Sequence, residues 1–344
     1  MVKRVCNRVQ WRQRWVGVIA LGLWLVLGLV WTPLAGAVGM ATMREVPWQV
    51  VEMPTDAILL DIAFTDAAAV HGWLVGDKGT LLETEDGGVT WAVRTVPAEL
   101  SEAYLSSISF AGEEGWIVGE PKVLLHTTDG GKQWERLRLS EKLPGEPMKI
   151  TALGPLTAEM VTTVGAIYRS TDGGKNWKAL VDDAIGVLKN IARDREGHYL
   201  GVSSRGSFYV LYEPGSRAWK PFPRESSRRI QNMGFGPGTL AWKLNQGAEI
   251  AFTEDFHTGK WSKPIKPGKT LSFGYLGAGF QNEHDLWVVG GSALLIHSPD
   301  GGKTWEQVNK LANVPANFYA VTFPTPERGF ILGQRGTLLR YAPA

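Results

Sequence analysis

Basic residues are concentrated between residues 184 and 230 of this 344-residue chain. The stretch holds nine Lys and Arg against four Asp and Glu, and the nine are Lys189, Arg193, Arg195, Arg205, Arg217, Lys220, Arg224, Arg228 and Arg229. Most are arginine, whose planar guanidinium pairs with carboxylate or phosphate through two parallel hydrogen bonds. The stretch therefore predicts a surface that captures an anionic partner. The alternative is a set of ordinary solvated charges.

A second candidate for chemistry is a recurring acidic turn, S/T-x-D-x-G-x-x-W, which we call the Asp box. Intact copies are found at 84–91, 127–134, 170–177 and 298–305. The carboxylate of such a turn accepts hydrogen bonds from its own backbone, and glycine supplies the positive φ. One carboxylate per turn is too few for the six to eight oxygens around calcium. We interpret the boxes as structural, and we expect no metal and no cofactor.

Asp boxes also occur in sialidases, so an enzyme was considered. A glycosidase needs a paired acid and nucleophile, and we could assign neither. The six histidines (His71, His126, His198, His257, His284 and His297) show no metal-ligand spacing, and no G-x-S-x-G motif is present. The sequence favours a protein that works by binding. The alternative is a periplasmic Asp-box protein that binds or hydrolyses glycans, or a general periplasmic scaffold.

The elements that must position these residues follow from a repeat. Tryptophans recur 42 to 44 residues apart, at Trp48, Trp91, Trp134, Trp177, Trp219, Trp261 and Trp305. Each unit contains four short β patterns separated by Gly-rich turns, as in 58–64, 72–75, 80–84 and 90–96. This period and strand number predict an all-β fold, a seven-bladed β-propeller with four-stranded blades.

The ends of the chain predict how the ring closes. The seventh unit, from about Leu311 to Tyr341, supplies three strands, and an orphan strand at 46–53 contains Trp48. Pairing the two completes the last blade and removes exposed sheet edges.

Propeller topology then locates the arginines. Arg205 lies in the turn between the second and third strands of blade four, and Arg228 and Arg229 lie at the crossing into blade five. Such turns and crossings share one face, so we expect these three side chains together near the channel mouth. Arg193, at the far end of an inner strand, is expected toward the opposite face.

The N-terminus predicts export. Five basic residues precede an uncharged run from Trp15 to Met43 that contains the small-residue sequence Ala35-Gly36-Ala37. We interpret residues 1–37 as a cleaved signal peptide and 38–344 as the propeller domain; an uncleaved membrane anchor is the alternative. Cleavage would change the formal charge from +2 to −3 and remove Cys6, the single cysteine. A charge this small does not suggest a nucleic-acid partner.

The segment SSRGSFYVLYEPGSRAW (203–219), followed by RRIQNMGF (228–235), resembles the photosystem II stability/assembly factor family of cyanobacteria and chloroplasts. The resemblance covers the whole predicted domain. It implies a seven-bladed propeller in the thylakoid lumen, peripherally associated with the membrane, that is a non-enzymatic, chaperone-like assembly factor.

The implied partners are newly made reaction-centre core subunits, including a precursor form, and early assembly intermediates; the protein itself is expected to be a monomer. By the resemblance, Arg205, Arg228 and Arg229 match the family's arginine patch, and Arg193 joins the predicted partner-binding residues. Many cyanobacterial members carry a lipobox cysteine after the leader, which this sequence lacks.

Overall fold

A computed structural model describes residues 47–343, except 182, 269–273, 309–310 and 312–313. The leader predicted for residues 1–37 lies outside the described residues. The described residues form seven antiparallel sheets, and in each the inner strand lies at one end of the hydrogen-bonded order. The sequence prediction of a seven-bladed β-propeller is confirmed.

The first three blades are complete four-stranded sheets. Blade one consists of β2 (Leu59–Phe64), β3 (Gly72–Gly76), β4 (Leu81–Thr84) and β5 (Ala92–Val93). A single 3₁₀ turn, Ala98–Leu100, leads to blade two, which consists of β6 (Tyr104–Ala111), β7 (Glu114–Glu120), β8 (Val123–Thr127) and β9 (Glu135–Arg136). Blade three consists of β10 (Pro147–Gly154), β11 (Thr157–Thr162), β12 (Ile167–Ser170) and β13 (Lys178–Val181).

Blades four and six are also four-stranded, whereas blade five has three strands. Blade four consists of β14 (Leu188–Arg193), β15 (Tyr199–Ser203), β16 (Phe208–Tyr212) and β17 (Lys220–Pro223). Blade five consists of β18 (Ile230–Phe235), β19 (Ala241–Asn245) and β20 (Glu249–Thr253). Blade six consists of β21 (Tyr275–Phe280), β22 (Leu286–Gly290), β23 (Leu295–Ser298) and β24 (Glu306–Gln307).

The fourth strand of blade five is reduced to a single bridge between Ile250 and Ile265. Proline flanks Ile265 at Pro264 and at Pro267. Because proline has no backbone N–H to donate to a ladder, pairing cannot extend along this outer edge.

The chain termini build blade seven together. It consists of β25 (Phe318–Thr325), β26 (Arg328–Gly333), β27 (Leu338–Tyr341) and the N-terminal β1 (Trp48–Val51). Trp48 pairs with Tyr341, and Val51 pairs with Leu338. This pairing is the predicted closure.

Intact Asp boxes serve as structural turns. In blade one, Asp86 Oδ1 accepts hydrogen bonds from the backbone N–H of Val89 and Thr90, both at 2.9 Å, and from the Thr84 hydroxyl at 2.8 Å. Gly88 adopts φ +81° and lies against the Phe330 ring of blade seven. The Asp box thus closes its own turn and packs against blade seven, which precedes blade one in the ring.

Truncation of Trp48 is expected to destabilise the ring at its closure. Its indole is buried and lies edge-on to Trp287, Phe323 and Tyr341, at centroid distances of 5.4 to 5.7 Å. Trp48→Ala should lower the free energy of unfolding by about 3–5 kcal/mol, the usual cost of removing a buried large aromatic. Urea unfolding measures this. Val50→Ala is the matched control, since Val50 lies on the same strand but is 57% exposed; equal losses would contradict the prediction.

Acid should weaken the Asp boxes. Partial burial opposes ionisation of Asp86, but hydrogen bonds from Thr90, Thr84 and Val89 lower its pKa from 3.8 to about 2. Hydrogen bonds led by Thr304 lower the pKa of Asp300 to about 2. Since both pKa values lie below those of the unfolded chain, this stabilisation is present above about pH 4 and is lost as the pH falls toward 2.

The double variant Asp86→Asn/Asp300→Asn should therefore lose less stability than the wild type between about pH 5 and about pH 2.5. Guanidinium unfolding at the two pH values measures the difference. Glu85→Gln, an exposed acid in the same turn, is the control. An acid-induced loss as large in the double variant as in the wild type would show that these carboxylates are not responsible.

Candidate partner-binding surface

The turn that carries Arg205 is fitted to the next blade. Ser203 Oγ accepts hydrogen bonds from the backbone N–H of Ser207 at 3.1 Å and Phe208 at 3.2 Å, which closes the turn between β15 and β16. Gly206 has φ +63°, and a Cβ placed on it would lie 2.2 Å from the carbonyl oxygen of Ile230. Only glycine lets this turn lie against the first residue of blade five.

A backbone hydrogen bond joins the two blades at this point. The N–H of Ile230 donates to the carbonyl of Gly206 at 2.9 Å. Arg205 immediately precedes Gly206, and Arg229 immediately precedes Ile230, so the bond holds the two arginines on either side of one contact. Both are exposed, and neither side chain has a hydrogen-bond or ion-pair partner within the described part of the chain.

Arg228 is held by blade five itself. Its Nε pairs with Glu249 at 2.9 Å and its Nη1 donates to the carbonyl of Gln246 at 3.3 Å. The guanidinium lies over Gly247, where a Cβ would be only 2.0 Å from Nη1. The Arg228 side chain remains 42% exposed, whereas that of Glu249 is 13% exposed. Glu249 therefore orients the arginine while one edge of the fork stays open to solvent.

Lys189 is a fourth cation at this junction. From β14 its Nζ donates to the Ile230 carbonyl at 2.7 Å and contacts Gln231 Oε1 at 3.3 Å. Burial and the charge of Arg229 lower the pKa of this amine. Sequence reasoning counted Lys189 among the basic residues but did not place it in the site. One feature of the sequence could have placed it there. Lys189 follows Leu188, which pairs with Ser203 at the start of the Arg205 turn.

We call Lys189, Arg205, Arg228 and Arg229 the basic patch. As predicted, the last three lie on the face formed by the second-to-third-strand turns and the blade crossings. The four cations come from β14, from the β15–β16 turn and from the crossing into blade five, and such a concentration of like charge orients an anionic partner.

Arg193 lies at the other end of β14, five residues from Leu188 and hence about 17 Å along the strand. Its side chain is only 12% exposed. Nε pairs with Glu159 of blade three at 3.0 Å, and Nη1 donates to the carbonyl of Asp194 at 2.9 Å. The structure therefore does not bring Arg193 together with the basic patch.

One group of possible metal ligands is present among the described residues: single ligand atoms of Asp194, Glu196 and His198 lie within 4.8 Å of one another. Asp194 Oδ1 already accepts the backbone N–H of Gly197 at 2.7 Å and of His198 at 2.8 Å. Its Oδ2 contacts His198 Nδ1 at 2.7 Å. The carboxylate therefore has a structural role in closing the β14–β15 turn.

The family model for "Photosynthesis system II assembly factor YCF48" matches residues 40–342. The chain belongs to this family.

A "Photosystem II assembly protein Ycf48" of Synechococcus sp. (strain JA-2-3B'a(2-13)) is 67% identical over 317 residues, which cover 92% of this chain and 95% of the relative. A solved structure, "YCF48 bound to D1 peptide", is 47% identical, covers 88% of this chain and 99% of its own, and superposes with a TM-score of 0.84. The Ycf48 family thus accounts for the whole described propeller.

Some relatives within the Ycf48 family are named lipoproteins, whereas others are named simply proteins. The Synechocystis sp. (strain ATCC 27184 / PCC 6803 / Kazusa) protein, a "Photosystem II assembly lipoprotein Ycf48", is 55% identical and covers 87% of each chain. The single cysteine of the present chain is Cys6, within the predicted leader. In the part of the chain that the structure describes, no helix has the length and apolar character needed to cross a bilayer.

Replacement of Gly206 by alanine is expected to disturb the junction beneath the basic patch. The new Cβ would meet the Ile230 carbonyl at 2.2 Å from a backbone with φ +63°. A positive φ alone costs alanine about 1 kcal/mol, and the clash adds to it, so we expect a loss of about 1–3 kcal/mol. Urea unfolding of Gly206→Ala measures the loss. Ser204→Ala, an exposed change in the same turn, should leave stability within about 0.5 kcal/mol; a Gly206→Ala protein as stable as this control would contradict the geometry.

Proposed function

We propose that the chain promotes early photosystem II assembly by holding a reaction-centre core subunit on the basic patch. The observation that supports this most directly is the position of two exposed arginines, Arg205 and Arg229, on either side of a backbone hydrogen bond between blades, with no side-chain partner for either among the described residues. A 47% identical protein of the same fold has been solved with a D1 peptide bound. Transfer of that partner to this chain is part of the proposal.

The geometry suits an acidic peptide segment. Nothing in the described part of the chain occupies the guanidinium groups of Arg205 and Arg229, so both can meet carboxylates, while Arg228 is already oriented by Glu249. Because Arg228 is fixed before the partner arrives, less side-chain entropy is lost on binding. Lys189 is anchored to the floor of the patch and adds positive potential.

The proposed action is binding without catalysis. A glycosidase requires one free acid and one free nucleophile, whereas the intact Asp-box carboxylates accept hydrogen bonds from their own turns. We further propose that residues 1–37 are removed on export and that the domain works as a monomer in the thylakoid lumen, peripherally associated with the membrane. The photosystem II core subunit would then present its lumenal segments to the basic patch.

Charge reversal should abolish capture without unfolding the ring. In Arg205→Glu/Arg228→Glu/Arg229→Glu, the patch would repel an acidic segment, and affinity for a D1-derived peptide should fall at least tenfold. Fluorescence anisotropy with the labelled peptide measures affinity, and thermal unfolding checks the fold. The interaction of the wild type should also weaken with added salt, because exposed charges are screened beyond about 8 Å at physiological ionic strength.

A matched control reverses three exposed cations on the Asp-box face: Lys175→Glu/Arg195→Glu/Lys303→Glu. It changes the net charge by the same amount while leaving the basic patch intact, so its affinity should stay within about twofold of the wild type. Equal weakening in both triple variants would indicate a general charge effect, and unchanged binding by the patch variant would exclude the patch as the capture surface.

A further inference from the structure

A second cationic site lies between blades three and four, on the side opposite the basic patch. It is a cleft of about 490 Å³ lined by residues from both blades. Its charged lining residues are Glu159, Arg169, Lys178, Arg193, Glu196 and Arg217.

At this cleft one position of the repeat is altered. Glu159 pairs with Arg169 in β11–β12 at the register position where Trp73 pairs with Glu83 in blade one and Trp116 with His126 in blade two. Blades five and six also place tryptophan there, blade seven places phenylalanine and blade four places leucine; these residues are Trp242, Trp287, Phe330 and Leu200. In blade three a carboxylate replaces a large aromatic side chain.

In blades one and two that aromatic packs beneath the next blade's Asp box. Trp73 donates from Nε1 to the Gly130 carbonyl at 2.9 Å, and a Cβ on Gly174 would lie 2.9 Å from Trp116. The corresponding box for Glu159 is that of blade four, and it is degenerate, with Pro214 in place of the aspartate. Its residues Pro214 to Arg217 line the cleft. Loss of the aromatic side chain and loss of the intact box therefore occur at the same junction, which is lined by charged side chains.

Glu159 serves to position cations in this space. Its side chain is 3% exposed, and it accepts hydrogen bonds from Arg169 Nε at 2.9 Å, Arg193 Nε at 3.0 Å and the Tyr199 hydroxyl at 2.9 Å. Burial opposes its ionisation, but the two arginines and the tyrosine hold the Glu159 pKa below its usual value. The carboxylate is thus charged and saturated, and it fixes two guanidinium groups side by side.

Positive charge remains in excess around this ion-pair cluster. Lys178 lies directly opposite Arg169 in the β12–β13 ladder, a like-charge pairing that destabilises a sheet unless something offsets it. Arg217 lies across the cleft on the degenerate box. Both side chains are exposed, and neither has a partner among the described residues. Four cations against Glu159 and Glu196 leave a formal charge of +2.

From this arrangement we propose that the cleft between blades three and four binds a phosphate-type dianion, either free or as the headgroup of a lipid. A phosphate monoester carries a charge of about −1.5 to −2 at neutral pH and offers three acceptor oxygens. It would neutralise the +2 cleft and remove the Arg169–Lys178 repulsion. The N–H groups of Arg169 and Arg193 that Glu159 does not use, together with Arg217 and Lys178, supply the donors. This site is independent of the peptide-binding role of the basic patch.

Titration with inorganic phosphate tests the proposal. Isothermal titration calorimetry at constant ionic strength should show one saturable site. Arg217→Gln and Lys178→Gln should each weaken binding about tenfold, the effect of losing one charge-assisted hydrogen bond. Glu196→Gln should tighten binding severalfold, because it removes a negative charge from the rim. Lys263→Gln removes an exposed cation from another blade and is the control.

A second arm identifies the source of the phosphate group. Cosedimentation with phosphatidylcholine vesicles that contain a minority of phosphatidic acid is measured for the same variants. Saturable phosphate binding supports a soluble ligand, and vesicle binding lost in Arg217→Gln but kept in Lys263→Gln supports a lipid headgroup. If neither probe binds, or if Lys263→Gln loses as much affinity as Arg217→Gln, the proposal is wrong.

Discussion

The structure depends on closure of the ring by its two termini. Without β1, blade seven would have three strands and would expose the edge of β27, and the ring would be held only by side-chain packing at that point. With it, Trp48 lies among aromatic side chains of blades six and seven, while Arg340 Nε donates to the Gly87 carbonyl of blade one at 2.9 Å. Closure thus joins blade seven to both of its neighbours, blade six and blade one.

Neighbouring blades fit together through small residues on one side and large ones on the other. Gly88, Gly131 and Gly174 of the Asp boxes lie against Phe330, Trp73 and Trp116 of the preceding blades. These contacts fit each Asp box to the blade before it. The basic patch and the Glu159 cleft, which lie on either side of blade four, are found where the repeat departs from its own pattern.

Departure from the repeat therefore marks the candidate sites. Blade four has a degenerate box, and blade five has lost most of its outer strand. The basic patch lies at their common junction on one face, and the Glu159 cleft lies between blades three and four on the other. At both places the repeat is irregular, and a carboxylate orients arginine side chains there. Glu249 orients Arg228 in the basic patch. Glu159 orients Arg169 and Arg193 in the cleft.

The sequence by itself determined the architecture, because tryptophan spacing, Gly-rich turns and strand-length β patterns are local properties that each blade repeats. It also determined the shared terminal blade and the face on which Arg205, Arg228 and Arg229 lie, since both follow from strand order alone. Only the tertiary structure decided which charged side chains are exposed and which are held by ion pairs or hydrogen bonds. Arg193 is matched with Glu159 across a blade junction, and Lys189 reaches Ile230 in the next blade, through contacts between residues 34 and 41 positions apart. The sequence shows which charged side chains the chain contains, whereas burial and the contacts between blades decide which partner each of them meets.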